Sequence, residues 1–341
     1  MKIALRALTA SLALSITMAL TTISHAAAAE AGEIRVSRGY SVLYLPQMVM
    51  QRNALIEKHA RALGLGDVKV TWRVLDGGNV INDALLSGTL DVAAVGTPGF
   101  LILWSKALGN PSAEIAGLSG ISSTPMYLNT INPKIKTLTD FGSGDRIAVA
   151  GVRSSLPAGI LQMMVAHELG PANYAQLDKF TVAVPYPDAT AAMLSGKTEI
   201  NAHVASPPFS LMELDNPNIR RIANSADILG DMTLVMSASP KRFHDSNPTL
   251  CKAYVEALDE ANHLIATDPQ SAADLYNEAS ATRVPKEMML RILSDKDTHF
   301  SIAPSGIARW ASFMKSIGLI RQDVTDWKQF FYPESHALAG S

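Results

Sequence analysis

The chain has 341 residues, of which 48% are hydrophobic and 18% charged, and its formal net charge is −2. This length and composition are typical of a folded globular protein with two domains of ordinary size. A charge this close to zero offers no basic surface, so nucleic acid is excluded from the expected partners.

The first 29 residues have the pattern of a secretory signal peptide. Lys2 and Arg6 form a positive start, residues 8–20 are rich in alanine and leucine, and small residues run to Ala29. A membrane anchor is the alternative, but the apolar stretch is short and is interrupted by serine and threonine. No cysteine lies near the cleavage site. We therefore predict a periplasmic protein that has lost its leader and carries no lipid anchor.

Strand-like and helix-like patterns then alternate along the chain. Strands are predicted at residues 32–37, 68–72 and 91–95, and helices at residues 44–63 and from Asn79, a possible cap, to Leu86. The same order returns later, with strands at residues 146–150, 180–184 and 199–204 and helices at 156–169 and 188–196. A strand at residues 219–222 and another at 232–238 precede four helices, at residues 248–267, 269–279, 285–293 and 304–317. Such alternation predicts mainly parallel, doubly wound sheets.

One motif occurs twice. Residues 84–91 (ALLSGTLD) and 192–199 (AMLSGKTE) share a Ser-Gly pair, and each is followed by an apolar strand and a proline–phenylalanine corner. The separation is the length of a domain, far longer than a solenoid repeat. We therefore predict two similar α/β lobes with a cleft between them. The first lobe comprises residues 32–119 and 232–341 and the second residues 120–231, with a two-strand hinge near residues 119–122 and 227–233.

Candidate ligand-binding residues follow the predicted strands, because ligands in open α/β sheets bind beyond the carboxyl ends of the strands. In the loop at residues 151–157, Ser154 or Ser155 can cap a helix whose N-terminus favours an anion by about 0.3–1 kcal/mol. Arg153 could pair with a carboxylate or sulfonate. A plain helix cap and a solvated arginine are the alternatives.

Other loops offer neutral groups. Thr97 brings a hydroxyl to a helix start, where it could equally be a cap. His203 brings an imidazole and Ser206 a hydroxyl. A lone histidine on an apolar strand is more often a core residue. Tyr44 and Tyr186 could line a pocket or simply pack. Cys251 lies in an amphipathic helical pattern and is expected to be a buried hydrophobe. The common enzyme and metal motifs are missing, so we expect no catalytic residue, metal or cofactor.

The order and spacing of several motifs resemble the nitrate/sulfonate/taurine-type substrate-binding proteins of ABC importers. The motifs are Asp76-Gly77-Gly78-Asn79, Leu86-Ser87-Gly88 with Asp91-Val92-Ala93, Gly96-Thr97-Pro98, residues 187–196 and residues 206–209. The resemblance implies a type II periplasmic-binding-protein fold, in which two doubly wound α/β lobes joined by a two-strand hinge close on a ligand. It also implies pocket positions, namely Ser41, Tyr44, Asn79, Thr97, Ser154, Ser155, His203 and Ser206.

The function implied is capture of a small ligand, of sulfonate, nitrate or carboxylate type or heteroaromatic, and its delivery to the membrane subunits of an ABC permease. We expect the protein to be a monomer. The alternatives are an exported enzyme on the same fold, similar to a thiamine-pyrimidine precursor synthase, and a receptor that reports its ligand to a sensor partner.

Overall fold

The computed structural model describes residues 30–341 except Asp76, Ser154, Ala281 and Thr325. The predicted signal peptide and the candidate Ser154 therefore lie outside the described residues. Among the helices that are described, none combines the length and the apolar character of a membrane span.

The structure consists of alternating strands and helices, as the sequence pattern predicts. The strands are β1 (Glu33–Arg38), β2 (Lys69–Val74), β3 (Ala93–Gly96), β4 (Ile115–Ser123), β5 (Tyr127–Thr130), β6 (Ile147–Val149), β7 (Thr181–Ala183), β8 (Ala202–Ala205), β9 (Arg220–Asn224), β10 (Val235–Pro240) and β11 (His299–Phe300). The α-helices are α1 (Leu45–Arg52), α2 (Leu55–Ala62), α3 (Gly78–Leu86), α4 (Thr97–Ala107), α5 (Leu156–Leu169), α6 (Tyr186–Ser195), α7 (Phe209–Leu214), α8 (Ser225–Leu229), α9 (Lys241–Ser246), α10 (Pro248–Thr267), α11 (Pro269–Ala279), α12 (Lys286–Leu293) and α13 (Ile307–Ser316). A 3-10 turn at Val42–Tyr44 precedes α1.

The strands form two sheets that share one plan. In the first, β1 and β2 are parallel, a bridge between Val36 and Val92 brings the start of β3 beside β1, and β10 runs antiparallel to both β3 and β4. In the second, the strand order is β7-β6-β8-β5-β9, with β6 parallel to its two neighbours and β5 antiparallel to its own. β11 is also antiparallel to β4, so the first sheet combines parallel strands linked through helices with two antiparallel strands, β10 and β11, and the second has one, β5. The predicted α/β class with two doubly wound lobes is confirmed.

The repeated Ser-Gly motif ends the same helix in each lobe. Ser87 is the C-cap of α3 and Gly88 follows it at φ +72°, while Gly196 is the C-cap of α6 at φ +59°. Left-handed backbone at a helix end is the conformation that glycine adopts without steric cost. The duplicated motif therefore encodes the turn that stops the helix and directs the chain into the next strand.

Two local predictions are wrong. The helix predicted over residues 44–63 is divided into α1 and α2, because Ala54 has φ +49° and interrupts the regular helical backbone. Asn79 is not a cap, because α3 already begins at Gly78 after Gly77, whose φ of +89° starts the turn two residues earlier.

The chain passes between the sheets twice. It leaves the first sheet after β4 and enters the second at β5, and it returns after α8 to β10. The amide of Leu234 donates to the carbonyl oxygen of Ser122 at 2.9 Å, so the outgoing and returning segments lie side by side. This arrangement is the two-strand hinge of the predicted fold, while the residue boundaries given for the lobes stay predictions.

Candidate functional site

Both lobes contribute to a cavity at the place where they meet. Its lining comes from the first lobe (Leu43, Tyr44, Gly77, Gly78, Ile81 and Gly96) and from the second (Ala150, Ser155, Leu156, Pro157 and Tyr186). We call it the interlobe cavity. Its volume is about 20 Å³, which is room for a single water molecule.

Four helix N-termini point at the interlobe cavity, two from each lobe. Gly77 and Gly96 are the N-caps of α3 and α4, Ser155 is the N-cap of α5, and Tyr186 is the first residue of α6. The first N–H groups of a helix have no partner within it, and the helix dipole places roughly half a positive charge there. The arrangement therefore favours an anionic or electron-rich group without a charged side chain.

Aromatic rings complete the lining. Tyr44 and Tyr186 come from opposite lobes and both are buried. The ring of Tyr186 is stacked on Phe209, with centroids 5.5 Å apart and an interplanar angle of 6°. Stacking of this kind fixes the orientation of the ring. A planar ligand group could therefore pack against a surface that is already ordered.

The lobes touch each other around the cavity. The amide of Val42 donates to the carbonyl oxygen of Pro207 at 3.1 Å. A Cβ atom at Gly96 would lie 2.8 Å from the Cβ of Leu156, so glycine is the residue that allows this approach. In this conformation the cavity between these contacts is too small for a solute larger than water.

Two of the predicted site residues line the interlobe cavity. Tyr44 does so just before α1, and Ser155 does so at the start of α5. The Ser155 hydroxyl accepts from the amide of Ala158 at 3.4 Å and donates to the carbonyl oxygen of Gly151. Ser155 therefore also caps α5, as its alternative interpretation predicts.

Three predicted residues lie close by and have other roles in this conformation. The hydroxyl and amide of the buried Thr97 donate to the carbonyl oxygens of Thr233 and Leu234, at 2.8 and 3.0 Å. The hydroxyl of Ser41 accepts from the amide of Leu43 at 3.3 Å and caps the 3-10 turn. Asn79 is exposed on α3. Their predicted contacts with a ligand stay predictions.

His203 lies in the core of the second lobe. Its Nδ1 atom is 2.6 Å from Oε1 of Glu213, and neither side chain is exposed. Glu213 also accepts from Nδ2 of Asn129 at 2.9 Å and from the hydroxyl of Thr190 at 3.1 Å. We call these four residues the Glu213 network. His203 is therefore a core residue, as the alternative interpretation predicts. Ser206 is also fully buried, and neither residue lines the interlobe cavity.

Arg153 is exposed and has φ +67°. Its charge acts on the carboxyl group of Asp178. Burial raises the pKa of Asp178, because burial disfavours the carboxylate. A hydrogen bond from Gln162 and, after it, the charge of Arg153 oppose that rise. The arginine is not among the residues that line the interlobe cavity. A role in ligand binding would need a change in its position when the lobes move.

Sequence reasoning missed Glu213 and the glycines of the lining. Glu213 lies in a short amphipathic helical pattern, where a surface carboxylate is the usual expectation. The glycines Gly77 and Gly96 belong to the motifs of the resemblance, which implies no glycine among its pocket positions. Nothing in the described part of the chain gathers three or more His, Cys, Asp or Glu side chains that could hold a metal ion.

A family model described as the NMT1-like family matches residues 27–279. The alkanesulfonate-binding protein SsuA from Xanthomonas axonopodis pv. citri is similar in structure, with a TM-score of 0.68, 18% identity, and coverage of 87% of this chain and 97% of that one. The periplasmic nitrate-binding protein NrtA from Synechocystis PCC 6803 has a TM-score of 0.64 and 14% identity, with 88% and 85% covered.

A third similar structure is a Candida albicans gene product described as having the generic periplasmic binding protein fold. Its TM-score is 0.64 at 15% identity, with 85% of this chain and 92% of that one covered. A search of the curated proteins found no match. At these identities the neighbours show the fold, so the predicted periplasmic-binding-protein fold and the resemblance to nitrate- and sulfonate-type binding proteins are confirmed.

Proposed function

We propose that the chain, which belongs to the NMT1-like family and has the fold of the periplasmic binding proteins, is the solute-binding component of an ABC importer. It captures a small ligand between its lobes in the periplasm and delivers it to the membrane subunits of the permease. The protein acts as a monomer and binds its ligand without converting it.

The observation that carries this proposal is the convergence of four helix N-termini on the interlobe cavity. Two belong to each lobe, so the full set of donors assembles only when the lobes close. A ligand that contacts both lobes binds the closed form more tightly than the open one. That difference in affinity is what a ligand needs to shift the balance between open and closed forms.

The same geometry indicates the ligand class. An oxyanion such as a sulfonate, nitrate or carboxylate would receive backbone N–H groups and the positive ends of the helix dipoles. Tyr44 and Tyr186 would pack against the remainder of the ligand, which suits a planar or heteroaromatic group with an electron-rich edge. Binding in the micromolar to nanomolar range corresponds to about 8–12 kcal/mol.

A thermal-shift screen of the mature chain against sulfonates, nitrate, carboxylates and pyrimidines tests the proposal. A ligand present at about 100 times its Kd stabilises the folded state by roughly 2.7 kcal/mol, so a true ligand raises Tm. Calorimetry then gives its affinity, and chromatography of the recovered ligand shows whether it is unchanged.

We expect one class to bind and to be recovered intact. Absence of binding by every class would contradict the proposal, and chemical conversion of the bound compound would favour the enzyme alternative. Loss of ligand uptake in cells that lack this protein would distinguish transport from reporting to a sensor partner.

A further inference from the structure

The interlobe cavity is lined by neutral residues wherever the structure describes its wall. That lining consists of glycine, alanine, leucine, isoleucine and proline residues together with two tyrosines and one serine. No carboxylate, ammonium or guanidinium group is among these described residues. The electrostatic field inside the cavity is therefore set by the backbone and by charges that lie outside this lining.

The backbone makes that field positive. The four helices that begin at the interlobe cavity, α3, α4, α5 and α6, have nine, eleven, fourteen and ten residues, so each contains at least two full turns. The N-terminus of each carries roughly half a positive charge. A negative group of a ligand meets the opposite sign at all four helix ends, whereas an ammonium group meets its own sign.

A buried guanidinium near the first lobe's part of the lining adds to the positive field. Arg38 is 9% exposed, and its side chain donates to Oε1 of Gln51 and to the carbonyl oxygens of Gly39 and Ala279, at 3.0, 3.3 and 3.2 Å. All three acceptors are neutral, so none of them compensates the charge. The carbonyl oxygen of Arg38 accepts from the amide of Leu75 at 2.9 Å, which places Arg38 beside the segment that leads into α3.

The described acidic groups close to the lining in sequence are exposed to solvent. Three charged residues of the described chain lie within two positions of a lining residue, namely Asp83, Arg153 and Asp188, and all three are exposed. Solvent and salt screen exposed charges over about 8 Å at physiological ionic strength. Asp83 and Asp188 therefore do not act as desolvated partners for a cation inside the cavity.

We propose that the interlobe cavity selects anions that carry no ammonium group and rejects zwitterions such as taurine and the amino acids. This inference rests on the proposed function and names the ligand class more narrowly. An ammonium group loses its hydration on entering the closed cavity and finds positive helix ends there in place of a carboxylate, which is costly. A methyl group in the same position needs no partner and suits the apolar lining.

The test compares three pairs of compounds in which a methyl group replaces the ammonium group. The pairs are propane-1-sulfonate with taurine, propionate with glycine, and 4-ethylbenzoate with 4-(aminomethyl)benzoate. Calorimetry with the mature chain at pH 7 measures the affinity of each compound at concentrations up to about 10 mM. We expect at least one methyl compound to bind, and to bind at least tenfold more tightly than its ammonium partner.

A charge placed in the cavity should change this preference. Ser155→Asp adds a carboxylate at the start of α5, and Ser155→Asn adds a neutral group of nearly the same size. The measured quantity is the ratio of the two affinities of the tightest pair within one variant, which a general loss of stability does not alter. We expect the ratio to fall at least fivefold in Ser155→Asp relative to Ser155→Asn.

Equal or tighter binding of the ammonium compounds would overturn this proposal and leave the proposed function standing. An equal ratio in Ser155→Asp and Ser155→Asn would show that charge inside the cavity does not govern the preference, and would overturn it too. Failure of all six compounds to bind would also overturn it. If the thermal-shift screen then finds no ligand of any class, the proposed function falls as well.

Discussion

The amide of Val42 donates a hydrogen bond to the carbonyl oxygen of Pro207 across 3.1 Å. Val42 begins the 3-10 turn before α1 in the first lobe, and Pro207 precedes α7 in the second. The bond therefore joins the lobes at the edge of the interlobe cavity. It must break when the lobes separate, so it stabilises the closed form of the cleft.

Close packing between the lobes gives the first prediction. A Cβ atom at Gly159 in α5 would lie 3.0 Å from the Cγ of Pro98 in α4, so Gly159→Ala crowds the closed form at a cost of about 1–3 kcal/mol. In the open form the alanine favours the helix by about 1 kcal/mol. We expect Tm to be maintained or raised while ligand affinity, measured by calorimetry, falls about tenfold.

The control for Gly159→Ala is Gly144→Ala, because a Cβ atom at Gly144 would have no neighbour within 4 Å. It should leave affinity unchanged. Equal affinities for all three proteins would show that the packing of α4 on α5 does not accompany ligand binding.

Ser155 gives a prediction that separates capping from ligand binding. Ser155→Ala removes the N-cap of α5 and should cost about 1 kcal/mol, or roughly 2–4 °C in Tm. Ser155→Asp retains a good cap but places a negative charge in the interlobe cavity. We expect Ser155→Asp to lower Tm at least as much as Ser155→Ala does, because its buried carboxylate cannot donate to the carbonyl oxygen of Gly151, and to weaken the binding of an anionic ligand at least tenfold more than Ser155→Ala, as measured by calorimetry. Retained affinity in Ser155→Asp would argue against an anionic group at this helix.

The Glu213 network should be a main source of stability in the second lobe. Glu213→Ala leaves His203, Asn129 and Thr190 without their shared acceptor in a fully buried place. Loss of one member of a buried charged set costs about 3–5 kcal/mol, so we expect Tm to fall by roughly 10 °C in calorimetric scans. The exposed Glu287, replaced by alanine, is the control. A similar small effect of both substitutions would contradict this role.

Asp178 should make stability depend on pH. Burial is the largest cause of its raised pKa. A carboxyl whose pKa is higher in the folded than in the unfolded state favours folding while protonated, and that contribution is lost as pH rises from about 3.9 through the folded pKa. The Asp178→Asn variant has no carboxyl group at this position, so its free energy of unfolding lacks this pH-dependent contribution.

The Tm of the unaltered chain minus that of Asp178→Asn should therefore decrease as pH rises from about 3 to 7. Thermal scans across this range provide the measurement. A constant or increasing difference would show that burial does not raise the pKa of Asp178.

Cys251 should be unreactive in the folded protein. It is 3% exposed, and burial raises the pKa of its thiol from 9.0 to about 12. The thiolate fraction at neutral pH is then about 1,000-fold lower than for an ordinary thiol. We expect slow reaction with an aromatic disulfide reagent at pH 8 and rapid reaction after unfolding in denaturant. Rapid labelling of the native chain would contradict the buried position.

Much of the fold follows from local sequence signals. Alternating strand and helix patterns predict the two sheets, and Ser87-Gly88 and Ser195-Gly196 mark equivalent helix ends, because glycine is needed at those left-handed positions. The division between α1 and α2 could not be predicted, since it depends on an alanine, Ala54, in a conformation that alanine rarely adopts.

The site was only partly predictable, for a physical reason. Tyr44 and Ser155 could be found because they follow strands whose ends meet at one edge of each sheet. Hydrogen bonds between different elements depend on the tertiary fold, so the bond of Thr97 to Thr233 and that of His203 on β8 to Glu213 on α7 gave no local signal. Close approach between lobes, as at Gly159, likewise depends on packing that only the folded chain defines.

The most direct test of the central claim is a crystal structure of the mature chain with the tightest ligand from the screen. We predict electron density for that ligand between the lobes, with its anionic or electron-rich group at the N-termini of α3, α4, α5 and α6 and its remainder beside Tyr44 and Tyr186. Density for the ligand only outside this cleft, with the interlobe cavity unchanged, would contradict the account.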